Sequence, residues 1–210
     1  MRLASACLLA ASAISGLAAA DPAPAQAWVD GQLSTRNDLL GGATWAGQRI
    51  GLSLGPFTGL GRSGRGDQSL LGGEAFVDSR AGYAAKPEWG WVLGAKLGVG
   101  LYDGSGSADA TVGGPRLAVL GGVYGLVQRV RLEIVPEVGA GIAFASYRDG
   151  TRGGASTAFR PFPSFGVSVS GSMALDGGRR LGLGLGYLHL QTPYVAPSGV
   201  TFTVTYGAER

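Results

Sequence analysis

The sequence has 210 residues, 39 of them glycine; 45% are hydrophobic, 15% are charged, and the formal net charge is +3. That length has room for one domain with or without a short extension, and the apolar share is too high for the disorder that so much glycine would otherwise imply. The 17 Lys and Arg residues are scattered and form no stripe, which argues against nucleic-acid binding.

Met1-Arg2, the apolar run Leu3 to Ala19 and the small exit Ala18-Ala19-Ala20 spell a secretory signal peptide over 1–20, with cleavage after Ala20. Cys7 would leave with it. The remaining chain then has no cysteine, which removes disulfides and cysteine-held metals from consideration. The longest uncharged run after the signal, Leu181 to Ala208, is interrupted by alternating glycines, Pro193 and Pro197, so it reads as strand, loop, strand and not as a membrane helix.

Residues 21–46 open with DPAPAQA and show no sustained period; they read as a periplasmic lead-in, with an extra strand over 28–34 left open. From Gly47 the side chains alternate. Ile50, Leu52 and Leu54 share one face, and Arg49, Gly51, Ser53 and Gly55 the other, up to a polar loop at Gly61 to Ser69. A second strand, Leu70 to Ala84, sets Leu71, Ala75 and Val77 against Glu74, Phe76, Asp78 and Arg80. After Lys86-Pro87 the third sets Trp89, Trp91, Leu93, Leu97, Val99 and Leu101 against Val92, Gly94, Lys96 and Gly98. A long loop is expected at Asp103 to Pro115. The fourth strand, Arg116 to Val127, is apolar on both faces, so the pattern leaves its orientation open. Past a short turn at Gln128 to Val130, Leu132, Ile134, Val138 and Ile142 alternate with Glu133, Val135, Glu137 and Gly139, ahead of a loop at Arg148 to Ala158.

Phe165, Val167, Val169, Met173 and Leu175 then oppose Ser164, Gly166, Ser168, Ser170 and Ser172. After Asp176-Gly177-Gly178 come Leu181, Leu183, Leu185 and Tyr187 against Gly182, Gly184 and Gly186, an antiparallel hairpin. A loop at Gln191 to Gly199 leads to the last strand, whose Val200, Phe202, Val204 and Tyr206 alternate with threonines. A soluble sandwich would show a charged outer face. Here the non-oily face is glycine and serine, which suits a closed barrel with lipid outside and a narrow interior. The expected fold is all-β: an eight-stranded antiparallel up-and-down transmembrane β-barrel over 47–210. Long and short connections alternate, which puts both termini on the short-turn, periplasmic side. Trp45, Tyr83, Trp89, Trp91, Tyr124 and Tyr206 are expected in a periplasmic aromatic belt, and Phe57, Tyr102, Phe144, Tyr147 and Phe165 in an outer one.

Strand count, loop asymmetry and signal peptide together resemble the small eight-stranded outer-membrane barrels, the group that includes OmpX and the transmembrane domain of OmpA. The resemblance covers roughly Gly47 to Arg210 and implies an outer-membrane protein that contacts lipid and lipopolysaccharide and is inserted by the barrel-assembly machinery. Such barrels commonly end on an aromatic residue that this machinery reads. Val200 to Tyr206 is similar to that signal, with Gly207-Ala208-Glu209-Arg210 following it.

The inward charges Arg49, Glu74, Asp78, Arg80, Lys96, Glu133 and Glu137 form the candidate site. A buried charge is tolerable only with a partner, so a plugged lumen is expected, with Lys96 to Glu137 as the leading pair. A narrow or gated small-solute channel is the alternative. His189 is the only histidine; its parity turns it outward, and no serine adjoins it in sequence. Nucleophile elbows, phosphate loops and zinc ligand sets are absent from the sequence, so no catalytic residue, metal or cofactor is assigned. Arg65-Gly66-Asp67 spells an adhesive tripeptide in the first outer loop. Arg62, Arg65, Asp67, Arg148 and Arg152 are the candidate surface-interaction residues, the arginines suiting lipopolysaccharide phosphates. The expected state is a monomer in the outer membrane, with a structural or surface-interaction role.

Overall fold

The computed structural model describes residues 43–61, 68–104, 108–149, 155–192 and 195–209. The signal segment, the lead-in up to residue 42 and the 28–34 stretch lie outside the described residues. Eight strands follow one another: β1 (Ala43–Gly61), β2 (Gln68–Lys86), β3 (Trp89–Gly104), β4 (Ala108–Val127), β5 (Val130–Asp149), β6 (Ala155–Leu175), β7 (Arg179–Leu190) and β8 (Val195–Glu209). Each pairs antiparallel with the next, and β8 pairs with β1, closing the sheet into a barrel in sequence order. Closure leaves no strand edge along the paired wall.

Period two sorts the side chains. Outward-facing Leu93, Leu97, Leu117, Val138, Leu185 and Phe202 are each more than half exposed to the surroundings. So large a continuous apolar exterior cannot face water, whereas lipid suits it. On β3 the apolar outward row runs from Trp89 to Leu101. At the usual strand rise and barrel tilt that is a band roughly 30 Å tall, enough to cross a bilayer.

One end of the barrel is tight. Pro87-Glu88 joins β2 to β3, Gln128-Arg129 joins β4 to β5, and a 3-10 turn, Asp176–Gly178, joins β6 to β7. Gly177 and Gly178 sit at φ 73° and 71°, where a Cβ would be strained, so the Gly-Gly pair makes this turn possible. At the other end the strands overshoot. β4, β5 and β6 have 20, 20 and 21 residues, against the ~9–11 that span a membrane.

This overshoot corrects the expected loops. The stretch 103–115 is largely strand, β5 reaches Asp149, β6 begins at Ala155, β8 begins at Val195, and β1 begins at Ala43. Beyond the lipid band nothing requires an apolar outer face, and Thr111, Ser146 and Thr157 stand there instead. The ladder continues regardless, with Thr111 opposite Ser146 and Ser146 opposite Thr157. The fourth strand is now oriented: Leu117 and Val119 face out, and Ala118, Leu120 and Tyr124 face in.

The aromatic belts need a second correction. Trp89, Trp91, Tyr206, Phe144 and Phe165 are exposed on the outside, but Phe57, Tyr102 and Tyr124 are buried in the lumen, and Trp45 packs there against Tyr124. Phe57 and Tyr102 share parity with inward neighbours, and filling the interior outweighs the pull of the headgroup region. Trp45 likewise shares the register and parity of the inward Arg49. Tyr83 is half-buried on the outer face, and the side chain of Tyr147 lies outside the described residues.

Candidate functional site: the charged lumen

The interior is layered. At the overshooting end Phe57, Leu70, Tyr102, Val112, Ala143, Phe162, Leu188, Leu190 and Val195 form a buried apolar cluster. Toward the tight-turn end a smaller cluster holds Val92, Leu120, Tyr124 and Val135, with Trp45 against it. All the charges sit between and beside these layers, in two groups.

The first group centres on Asp78 and Glu133, each about 1% exposed. Arg49 donates to Asp78 through Nε at 3.0 Å and Nη2 at 3.1 Å, and Arg80 through Nε at 3.1 Å and Nη2 at 2.9 Å. Glu133 accepts from Arg80 Nη1 at 2.6 Å and Arg131 Nε at 2.8 Å, with Arg49 Nη1 at 3.6 Å. Arg131 also donates to Glu209, whose second oxygen lies 3.3 Å from Arg180 Nε. The second group centres on Glu74, which accepts both arms of Arg116 at 3.0 and 2.7 Å and has Lys96 Nζ at 3.4 Å. Glu137 stands 2.5 Å from Lys96 Nζ and 2.8 Å from Arg116 Nη2. Arg116 Nη1 donates to Ser164 Oγ at 3.2 Å, and the Lys96 ammonium lies 5.0 Å from the centre of the Phe76 ring.

The register explains part of this wiring. Arg49 faces Asp78 across β1 and β2, and Asp78 faces Lys96 across β2 and β3. Both Asp78 oxygens are already occupied by guanidinium forks, so the long Lys96 stem passes over Phe76 and reaches Glu137 on β5. Bidentate arginine pairs fix direction as well as energy, and a lysine accommodates what they leave. Small residues make the room. A Cβ at Gly98 would run into the Glu74 carboxylate, and one at Gly51 would meet the Phe76 ring.

All seven lumen charges expected from the sequence are therefore inside, and the structure brings them into the two groups. Four more were missed: Arg116, Arg131, Arg180 and Glu209. Parity was the available signal. Arg116 shares it with Ala118, Arg131 with Glu133, Arg180 with Gly182 and Glu209 with Thr205. Against the ionic groups, β6, β7 and β8 present Ser168, Ser170, Gly184, Gly186, Thr201, Thr203 and Thr205, and a cavity of ≈ 50 Å³ remains between the two walls. That is room for a few waters among polar partners.

His189 faces outward, as its parity requires. Its Nδ1 hydrogen-bonds Ser198 Oγ, and its ring centre lies 4.7 Å from that of Phe165. Ser198 lies on the next strand and arrives through the β7–β8 ladder, which sets it opposite His189. Among the described residues no carboxylate hydrogen-bonds the imidazole, so the pair lacks the third group that orients a base. Of the candidate surface residues, Arg148 is exposed at the end of β5. Arg62, Arg65, Asp67 and Arg152 lie outside the described residues.

No protein-family model matches the chain, and no curated protein matches it. Among solved structures it is similar to Ail, the attachment invasion locus protein of Yersinia pestis, at 12% identity, covering 79% of this chain and 98% of that one, with a TM-score of 0.44. It is also similar to Neisserial surface protein A, at 14% identity over 77% of this chain and 95% of that one, TM-score 0.44. A third similarity is to the N-terminal β-barrel domain of Pseudomonas aeruginosa OprF, at 11% identity over 75% and 96%, TM-score 0.33. Its own register and lipid-facing exterior make this chain an eight-stranded antiparallel up-and-down transmembrane β-barrel.

Proposed function

We propose that the protein is an outer-membrane barrel of a Gram-negative bacterium with a structural or surface-interaction role, a plugged lumen and no catalytic site. One observation carries this reading. Each of the lumen carboxylates Glu74, Asp78, Glu133, Glu137 and Glu209 is held by at least two cationic groups. Removing either partner of such a pair is costly, so the network is a permanent filling. The apolar cluster at the overshooting end adds a second barrier.

The signal segment over 1–20, the alternation of tight turns with overshooting ends and the lipid-facing band support export and insertion with both barrel termini periplasmic. Outer-membrane lipid and lipopolysaccharide are then the immediate partners, with the exposed Arg148 guanidinium placed to meet phosphate. The barrel-assembly machinery is the partner during biogenesis, and the mature state is a monomer. A narrow channel is the second reading, favoured by the ≈ 50 Å³ cavity beside the ionic groups. Fractionation followed by unheated gel electrophoresis tests the first reading. The protein should sit in the outer membrane and migrate faster before boiling than after. Recovery as a soluble periplasmic species would overturn it.

A further inference from the structure

The end of the lumen where β8 finishes carries an imbalance that the ionic network does not resolve. Among the described residues four guanidiniums converge there, Arg49, Arg80, Arg131 and Arg180, against the three carboxylates Asp78, Glu133 and Glu209. Arg49, Arg80 and Arg131 are buried and Arg180 is half-buried. An unmatched cation inside a wall surrounded by lipid is costly to hold.

The hydrogen-bond inventory points the same way. Both oxygens of Glu209 are engaged, one by Arg131 and one by Arg180. Arg180 also donates to Ser172 through Nε and Nη2, at 3.2 and 2.9 Å. Arg131 Nη2 and Arg180 Nη1 take part in none of these bonds and are the guanidinium nitrogens left to meet a ligand. Arg131 stacks 3.6 Å from the centre of the Trp45 ring, whose buried indole N–H lies against Gly82 without a hydrogen-bond partner. Trp45, Arg49, Arg80, Arg131, Arg180 and Glu209 line one cavity with ≈ 10 Å³ of room. That is space for about one particle the size of water. A water there could accept from one donor but would leave the excess positive charge standing. An acceptor-only particle with negative charge matches both the donors and the excess charge.

We propose that this cavity is a binding site for one small inorganic anion of chloride size, held chiefly by Arg131 and Arg180 at the periplasmic mouth of the barrel. The site stands whether or not the lumen conducts, because it needs entry from one end only. Occupancy neutralises the fourth guanidinium and links the base of β7 to β5 and to the end of β8.

Trp45 supplies the readout. Replacing Trp28, Trp89 and Trp91 by Phe leaves it as the only tryptophan, and bromide quenches indole emission on contact. In the folded, detergent-solubilised full chain, bromide should quench with a saturating curve that added chloride displaces. Arg180→Gln should weaken the apparent affinity at least tenfold, while Arg179→Gln, on the exposed outer position, should leave it unchanged. Each variant is first shown to keep its heat-modifiable gel mobility. Should Arg180→Gln fail to fold, the wild-type barrel decides. Its thermal midpoint should rise with chloride and stay flat with sulfate at equal ionic strength. Strictly linear quenching without chloride competition, unchanged affinity in Arg180→Gln, or equal responses to chloride and sulfate would each overturn the site.

Discussion

Glu74→Ala separates a filled lumen from a wet one most sharply. Glu74 is 2% exposed, accepts two arginine hydrogen bonds at 3.0 and 2.7 Å, and has Lys96 at 3.4 Å. Its removal leaves Lys96 and Arg116 sharing Glu137 alone. Breaking a buried pair from one side costs about 3–5 kcal/mol, because the stranded charge remains in a poor dielectric. With a urea slope of roughly 1–3 kcal/mol/M for small proteins, the unfolding midpoint in lipid vesicles should fall by one to several molar. The double variant Glu74→Met with Arg116→Met removes both charges and keeps most of the volume, so it should recover most of that loss. Tryptophan emission and unheated gel mobility report the transition. If the single variant unfolds with the wild type, the pair is bathed in water, and the reasoning that assigns a plug fails.

Other substitutions probe the remaining layers. Gly51→Val places a branched side chain against the Phe76 ring, over which Lys96 sits; overpacking of this kind costs about 1–3 kcal/mol, measurable in the same urea titration. In a Trp28→Phe background brominated lipid should quench Trp89 and Trp91 strongly and spare Trp45, so adding Trp89→Phe and Trp91→Phe should remove most of the quenching; undiminished quenching would place Trp45 outside. Above Ser164, β6 has no β7 partner among the described residues, which offers a further test. Pairing with β7 starts at Ser164 opposite Leu190, and the Pro163 carbonyl accepts from Gln191 N–H at 3.0 Å, so Pro161 two residues on turns the same way and withholds a donor from that edge. Pro161→Thr restores the donor and should raise the fraction of cross-linkable dimer in detergent.

Much of the barrel was legible because lipid enforces a strict rule. Leu132, Ile134, Val138 and Ile142 must be apolar outside while Glu133 and Glu137 must hide inside, and no other environment writes that pattern so cleanly. The rule lapses where lipid ends, which is why the strand at 108–115 and the extension of β6 back to Ala155 went unread. It is silent where the lumen is itself apolar: Ala118, Leu120 and Tyr124 gave β4 two similar faces and concealed Arg116. Aromatic residues misled because a ring suits both an interface and a packed interior. Trp45, Phe57 and Tyr102 obey their strand's parity, not their chemical type. Pairing within the lumen was the least legible part. Lys96 faces Asp78 in register but meets Glu137, since arginines reach Asp78 first, and that competition exists only in three dimensions.

The most direct measurement is single-channel conductance of the purified, folded wild-type barrel in a planar bilayer. Doubly held carboxylates beneath an apolar layer predict insertion without stable conductance steps over minutes of applied voltage. Reproducible steps of one size from the folded wild-type protein would contradict the plug and establish the channel.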